Sequence, residues 1–333
     1  MKEGNRLMKT GKAMAFFCLL PLFITGCKPE ASSSVGGDSG SSSVLSSSSS
    51  SSSSVESSAE DKTIDVVIMA GQSNCQGHSC LSYLLKGTTE EQRNFYKNGF
   101  EDTLIEFYCN EGDTAINKSS SFIPVKKGMG YTSDYFGMEL GLAEGLKDSG
   151  RTKKTYVIKY AKGGTSLAAD WHSTSSSSGA STLYLNFIAF VKAALSQLED
   201  QGYTPYVRAL LWMQGENDGS SSLYGQYYTL EKAFAGDVRS ELSYYQPAGG
   251  IPFVDGIIYE NAAASPHYAE INAAKRKFAA EDPSKNFLVE TSGLDWTKEP
   301  EANPDIYHFD ALSELELGKR FSQVLLDQKL LNS

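Results

Sequence analysis

Cysteine is scarce in the part of this chain that can build a core. The sequence has 333 residues and five cysteines, of which only Cys75, Cys80 and Cys109 lie beyond residue 60. An odd number at irregular spacing points to neither a disulfide framework nor a zinc site. Basic charge is in deficit as well: 30 Lys and Arg stand against 40 Asp and Glu, a formal net charge of −10. That balance argues against a nucleic-acid partner and against a polybasic membrane patch. The apolar stretch Ala13 to Ile24 is too short to span a membrane as a mature helix. Histidine is limited to His78, His172, His267 and His308, so few residues can carry proton transfer near neutral pH.

What is present divides the chain into three parts. Residues 1–26 carry Lys2, Arg6, Lys9 and Lys12 ahead of the apolar stretch, the layout of a secretory signal peptide. The segment ends Phe-Ile-Thr-Gly-Cys and resembles a bacterial lipobox, with Phe23 where Leu is usual. The resemblance implies that Cys27 is the lipidated first residue of the mature protein, a lipoprotein on the bacterial cell surface. Removing the leader takes away four basic groups and Glu3, a net +3, and leaves −13. Residues 27–60 are a serine-rich tether, including the unbroken run Ser46 to Ser54, with too little apolar surface to offset chain entropy. Residues 61–333 are expected to form one α/β domain.

Within that domain the chain is organised around Ile64 to Gly77. A run rich in β-branched residues, Ile64 to Met69, reads as a buried parallel strand. It stops on Ala70-Gly71, and Ser73 follows between Gln72 and Asn74. A strand that ends in a tight glycine turn presents the next side chain at the carboxyl edge of a sheet, where open α/β folds bind ligands. Further strands are expected at Thr103 to Tyr108, Thr155 to Tyr160, Val207 to Met213, Phe253 to Tyr259 and Phe287 to Glu290. Helices are expected at Leu81 to Lys97, Phe136 to Leu146, Leu183 to Glu199, Tyr224 to Leu242, His267 to Ala280 and Leu312 to Leu330. Strands alternating with helices of this length predict a three-layer α/β/α domain with a central, mostly parallel sheet.

Three strand ends then carry polar blocks: Gly71-Gln72-Ser73-Asn74, Gly163-Gly164, and Gln214-Gly215-Glu216-Asn217-Asp218. The paired glycines lack the Gly-Lys-Ser/Thr of a phosphate loop, which leaves a plain turn or a close approach of backbone to a ligand. Asp305-x-x-His308 sits in a loop just before the last helix. Together these supply what ester hydrolysis requires: a serine nucleophile, N–H donors for an oxyanion, and a histidine base whose tautomer an acid sets. An Asp three residues before a His can bond Nδ1 while Nε2 faces the serine.

These four blocks resemble those of the sialate O-acetylesterase (SASA) domain, similar to carbohydrate esterase family 6 within the SGNH hydrolase superfamily, over about residues 64–330. The Trp-x-Gln-Gly-Glu-x-Asp block is the most specific of them. The Gly-x-Ser-x-Gly elbow of α/β-hydrolases is absent, since Cys75 stands at its second glycine. The resemblance implies an SGNH (flavodoxin-like) fold with Ser73 as nucleophile, His308 as general base and acid, and Asp305 as its orienting acid. It also implies an oxyanion hole from the N–H groups of Ser73 and Gly164 and the side-chain amide of Gln214. Gln72, Asn74, Gly163, Glu216, Asp218 and Trp171 are the supporting or substrate-facing candidates. Glu216 and Asp218 are placed to hold loops by hydrogen bonds, with Glu216 as an alternative partner for the histidine. His78 follows the serine too closely to be its base and reads as a helix-start or surface residue. His172 reads as a solvated loop residue and His267 as a structural one. The expected activity is a carbohydrate O-acetylesterase needing no metal or cofactor, acting on an O-acetylated glycan of sialate or xylan type. Membrane contact is expected through the lipid anchor alone. The alternative is a glycan-binding surface lipoprotein without catalysis.

Overall fold

The computed structural model describes residues 62–111, 115–298 and 304–332. The expected leader, Cys27 and the serine tether lie outside the described residues. In chain order the strands are β1 (Thr63–Gly71), β2 (Ser79–Cys80), β3 (Phe100–Glu111), β4 (Ala115–Lys118), β5 (Ile123–Val125), β6 (Tyr135–Phe136), β7 (Thr155–Lys162), β8 (Thr204–Met213), β9 (Phe253–Gly256), β10 (Asn286–Val289), β11 (Trp296–Thr297) and β12 (Asp305–Phe309). The α-helices are α1 (Ser73–Gln76), α2 (Leu81–Leu84), α3 (Glu90–Asn98), α4 (Met138–Asp148), α5 (Thr182–Asp200), α6 (Glu216–Gly219), α7 (Tyr227–Glu241), α8 (Tyr268–Glu281) and α9 (Ala311–Asp327). Among the described residues no helix is long and apolar enough to cross a membrane.

One sheet of eight strands runs β10-β9-β8-β1-β7-β3-β4, with β5 also paired to β3. From β10 to β3 every pairing is parallel, and only β4 and β5 run antiparallel. The sheet starts at β1, adds β3 and β7 on one side of it, then crosses to add β8, β9 and β10 on the other. This makes β1 the topological switch point, which in open α/β sheets is flanked by the ligand crevice.

Helices cover both faces, as the strand alternation requires. On β7, the Lys159 side chain meets Glu139 of α4, while its neighbour Tyr160 packs against Phe187 of α5. The α5 side holds an aromatic cluster in which Trp212 lies 4.3 Å from Phe234 of α7. The other side holds a cation with no exposure at all. Lys159 Nζ donates to Glu139 Oε2 (2.6 Å), Gln76 O (2.9 Å) and Met129 O (3.0 Å). A buried ammonium with three acceptors has its desolvation offset, and here it also pins the end of α1.

The three-layer arrangement is as the sequence implies, with differences at short elements. The single helix expected over Leu81 to Lys97 is two, because Thr89 caps α3 with a capping box to Gln92 and forces a new start. The β4 and β5 additions were not anticipated. Asp305 and His308 lie not in a loop but on β12, which pairs antiparallel with β11.

Candidate active site

Register brings the polar blocks together. Gly71 of β1 lies beside Ala161 of β7 on one side and Met213 of β8 on the other. The chain must then turn sharply, and glycine is required at the corner. Gly71 has φ of +150°, and a Cβ there would stand 1.9 Å from Met213 O. The next N–H, on Gln72, donates to that same carbonyl (3.0 Å). Ser73 therefore opens α1, and its N–H has no acceptor within the helix. Beyond β7, Gly164 is exposed with φ of +66°, and nothing lies within 4 Å of the place a Cβ would occupy. Its backbone can be approached freely.

A pocket of about 260 Å³ opens at this junction. Gln72, Ser73, His78, Gly163, Gly164, Glu216, Asn217, Ser220, Ala264, Tyr307 and His308 line it. Ser73 and His308 thus share one cavity although 235 residues of sequence separate them. His308 Nδ1 bonds Asp305 Oδ2 at 2.6 Å. Burial raises the Asp305 pKa, but the His308 hydrogen bond, the His308 charge and the Tyr307 N–H lower it, and the net effect is below the ordinary value. A carboxylate acceptor keeps the proton on Nδ1, which leaves Nε2 to act as a base.

The third block holds the walls. Asp218 is fully buried, and its carboxylate accepts from Leu167 N (2.7 Å), Ala168 N (3.1 Å) and Gln214 Nε2 (2.6 Å), tying α6 to the loop after Gly164. Glu216 Oε1 accepts from Asn74 Nδ2 at 2.6 Å. Asn74 also donates to Tyr307 O (3.3 Å) and accepts from Phe309 N (3.4 Å), the backbone groups on either side of His308. Burial raises the Glu216 carboxyl, and the Asn74 bond only partly opposes it, so its pKa lies above the ordinary value. Gln72 Oε1 accepts from Asn217 N (3.2 Å) and Gln214 Nε2 (3.3 Å).

Two sequence assignments change. Gln214, expected to offer its amide to an oxyanion, has no exposure and does not line the pocket; its Nε2 is taken by Asp218, Thr165 O (3.2 Å) and Gln72. Trp171, a substrate-facing candidate, is a core residue: it has no exposure, donates Nε1–H to Thr165 Oγ1 (2.8 Å) and stands edge-on to Trp212. Two residues enter that sequence reasoning missed. Asn217, half-buried, lines the pocket and donates Nδ2–H to Gly164 O (3.1 Å). His78 lines it too, stacked on His308 with ring centroids 4.2 Å apart. His172 and His267 lie elsewhere: His172 Nδ1 bonds Gly179 O, and His267 stacks on Tyr224. Among the described residues no group of His, Cys, Asp and Glu could hold a metal ion.

The family model for carbohydrate esterases described as sialic acid-specific acetylesterases (SASA) matches residues 63–327. No curated protein matches the chain. Similar solved structures include a protein from Arabidopsis thaliana, at 17% identity and TM-score 0.55, covering 79% of this chain and 98% of that one. NanS is similar at 17% identity and TM-score 0.57, covering 80% and 97%. A novel carbohydrate acetylesterase from Xanthomonas citri is similar at 14% identity and TM-score 0.50, covering 78% of this chain and 55% of that one. At such identities the likeness is one of fold.

Proposed function

The chain belongs to the SASA family of carbohydrate esterases and is a carboxylic ester hydrolase; from that premise we propose that it releases acetate from O-acetylated carbohydrate through a Ser73–His308–Asp305 triad. Ser73 Oγ attacks the acetyl carbonyl carbon while His308 Nε2 takes its proton. The N–H groups of Ser73 and Gly164 receive the oxyanion, with the Asn217 amide in the place expected for Gln214. His308 then returns the proton to the departing sugar hydroxyl. Water, deprotonated by His308, releases acetate and restores Ser73. Asp305 keeps the proton on Nδ1 and stabilises the imidazolium. Asp218, Gln214 and Gln72 hold the walls, and Glu216 holds Asn74.

The observation that carries this reading is the meeting of Ser73 and His308 in one small pocket, with His308 bonded to an ionised acid at 2.6 Å. A cavity of about 260 Å³ suits an acetyl group and part of a sugar, and falls below the usual range for larger ligands. The substrate is an acetylated glycan of sialate or xylan type. Acetate release by the purified domain from a panel of O-acetylated glycans, with long-chain acyl esters alongside, tests it. Release from at least one acetylated sugar and none from long chains is expected; hydrolysis surviving Ser73→Ala would overturn the mechanism. The enzyme acts at the cell surface, lipid-anchored through Cys27. Cys27→Ser should move it from the membrane fraction to the medium or leave it unprocessed, and unchanged fractionation would contradict the anchor.

A further inference from the structure

The Asp305 bond holds His308 at one atom, and Asp305 is itself 39% exposed in its side chain. One hydrogen bond fixes the direction of Nδ1 but leaves the imidazole plane free to tilt about it, and solvent competes for an exposed carboxylate. Something must hold the ring's flat face.

His78 meets that face. Its ring lies 4.2 Å from His308 with planes 15° apart, and it lies 4.9 Å from Tyr131 with planes 5° apart, so His78 is sandwiched between the two. Both supports trace back to the turn that carries Ser73. His78 Nε2 bonds Gln76 Oε1 (3.1 Å), and Gln76 is buried at the end of α1, where its carbonyl accepts from Lys159. Tyr131 N donates to Gly77 O (2.8 Å). The stack therefore sets the plane of His308 from the backbone that places the serine.

We infer that His78 is a positioning residue for His308: it holds the imidazole in the plane from which Nε2 reaches Ser73. The inference rests on His308 acting as base. His78 and Asp305 restrain one ring from two directions, face and edge, and their losses must therefore couple.

The test is steady-state kinetics on a small acetyl ester with the purified domain, each variant first checked by thermal melting. His78→Leu, which keeps bulk but no aromatic face, should lower kcat about tenfold with KM unchanged, a modest misplacement. His78→Phe should recover activity to within about threefold of the parent. Combined with Asp305→Asn, His78→Leu should cost about tenfold more than the product of the two single losses. Purely multiplicative losses, a Phe variant as poor as the Leu variant, or a change confined to KM would each overturn the inference. If His78→Leu does not fold, His78→Ala replaces it with the same outcomes. His308→Ala is run alongside: activity surviving that change would sink the base assignment rather than the stack.

Discussion

Asp305 and Glu216 are two carboxylates beside one histidine, His308, in opposite surroundings. Asp305 stands on the short ribbon strand β12, part-exposed, with its Oδ2 on His308 and its Oδ1 on the Tyr307 N–H (3.0 Å). Glu216 stands on the α6 turn in the pocket lining, with Oε1 on Asn74. Their pKa values move apart: Asp305 falls despite its burial because the His308 contacts outweigh it, while Glu216 rises because burial outweighs its bonds. Solvent contact and a basic partner keep one acid ionised, which is the state that stabilises an imidazolium. Enclosure favours the neutral form of the other and suits it to hold an amide in place. Two acids can thus serve one histidine in different ways, one through its proton and one through its backbone. The sign for Asp305 follows from its lowered pKa: the pairing is intact above the ordinary carboxylate range and is lost as pH falls through the lower, folded-state value.

The largest effect that bears on this comparison is expected at Ser73, the proposed nucleophile. Ser73→Ala should lower kcat on a small acetyl ester by about 10⁴ or more while the melting temperature stays close to the parent's. Without that loss, neither acid has a triad to support. Asn74→Ala cuts the link from Glu216 to the backbone around His308. It should cost about 10² in kcat through misplacement of the base, and about 1–3 kcal/mol of stability through polar groups left unpaired. Kinetics and melting on the same preparation check both.

The smallest effect is on stability alone. Burial and the nearby Glu139 carboxylate raise Glu314 of α9 well above the ordinary carboxyl value. With a raised folded-state pKa, the native state holds the proton that the unfolded state loses. Stability therefore falls as pH climbs from the unfolded value towards the folded one. Glu314→Gln removes that titration and should raise the melting temperature by roughly 2–4 °C at neutral pH, with little change near pH 4. Melting curves across pH check it; equal shifts at both ends would mean that Glu314 is not the titrating group.

The sequence revealed β1, β7 and β8 because apolar runs ending in glycine or a polar block are local signals, and the sheet register did the rest. That Ser73 and His308 share a pocket and His308 pairs with Asp305 follows from short blocks that the sequence carries, each at a strand end or just before the last helix. What was hidden depends on distant chain. His78 meets His308 across 230 residues, and no local pattern marks a stacking partner. Gln214 and Asn217 are amides on one turn, and rotation of that turn, set by Asp218 binding the loop after Gly164, decides which side chain meets the pocket. Trp171 reads from sequence as a substrate-facing candidate because the hydrophobic partners that bury it come from β8, α5 and α7. From sequence β12 reads as loop, because its partner β11 is only two residues long.

The direct test of the account is the ratio of two losses, kcat for Asp305→Asn and for Glu216→Gln, measured at one pH on one small acetyl ester after both variants are shown to be folded. Asp305→Asn should lower kcat by about 10³–10⁴, through the wrong tautomer and an unsupported imidazolium. Glu216→Gln preserves an acceptor for Asn74 and should cost no more than about tenfold. Equal losses, or a larger loss at Glu216, would contradict the division of labour between Asp305 and Glu216.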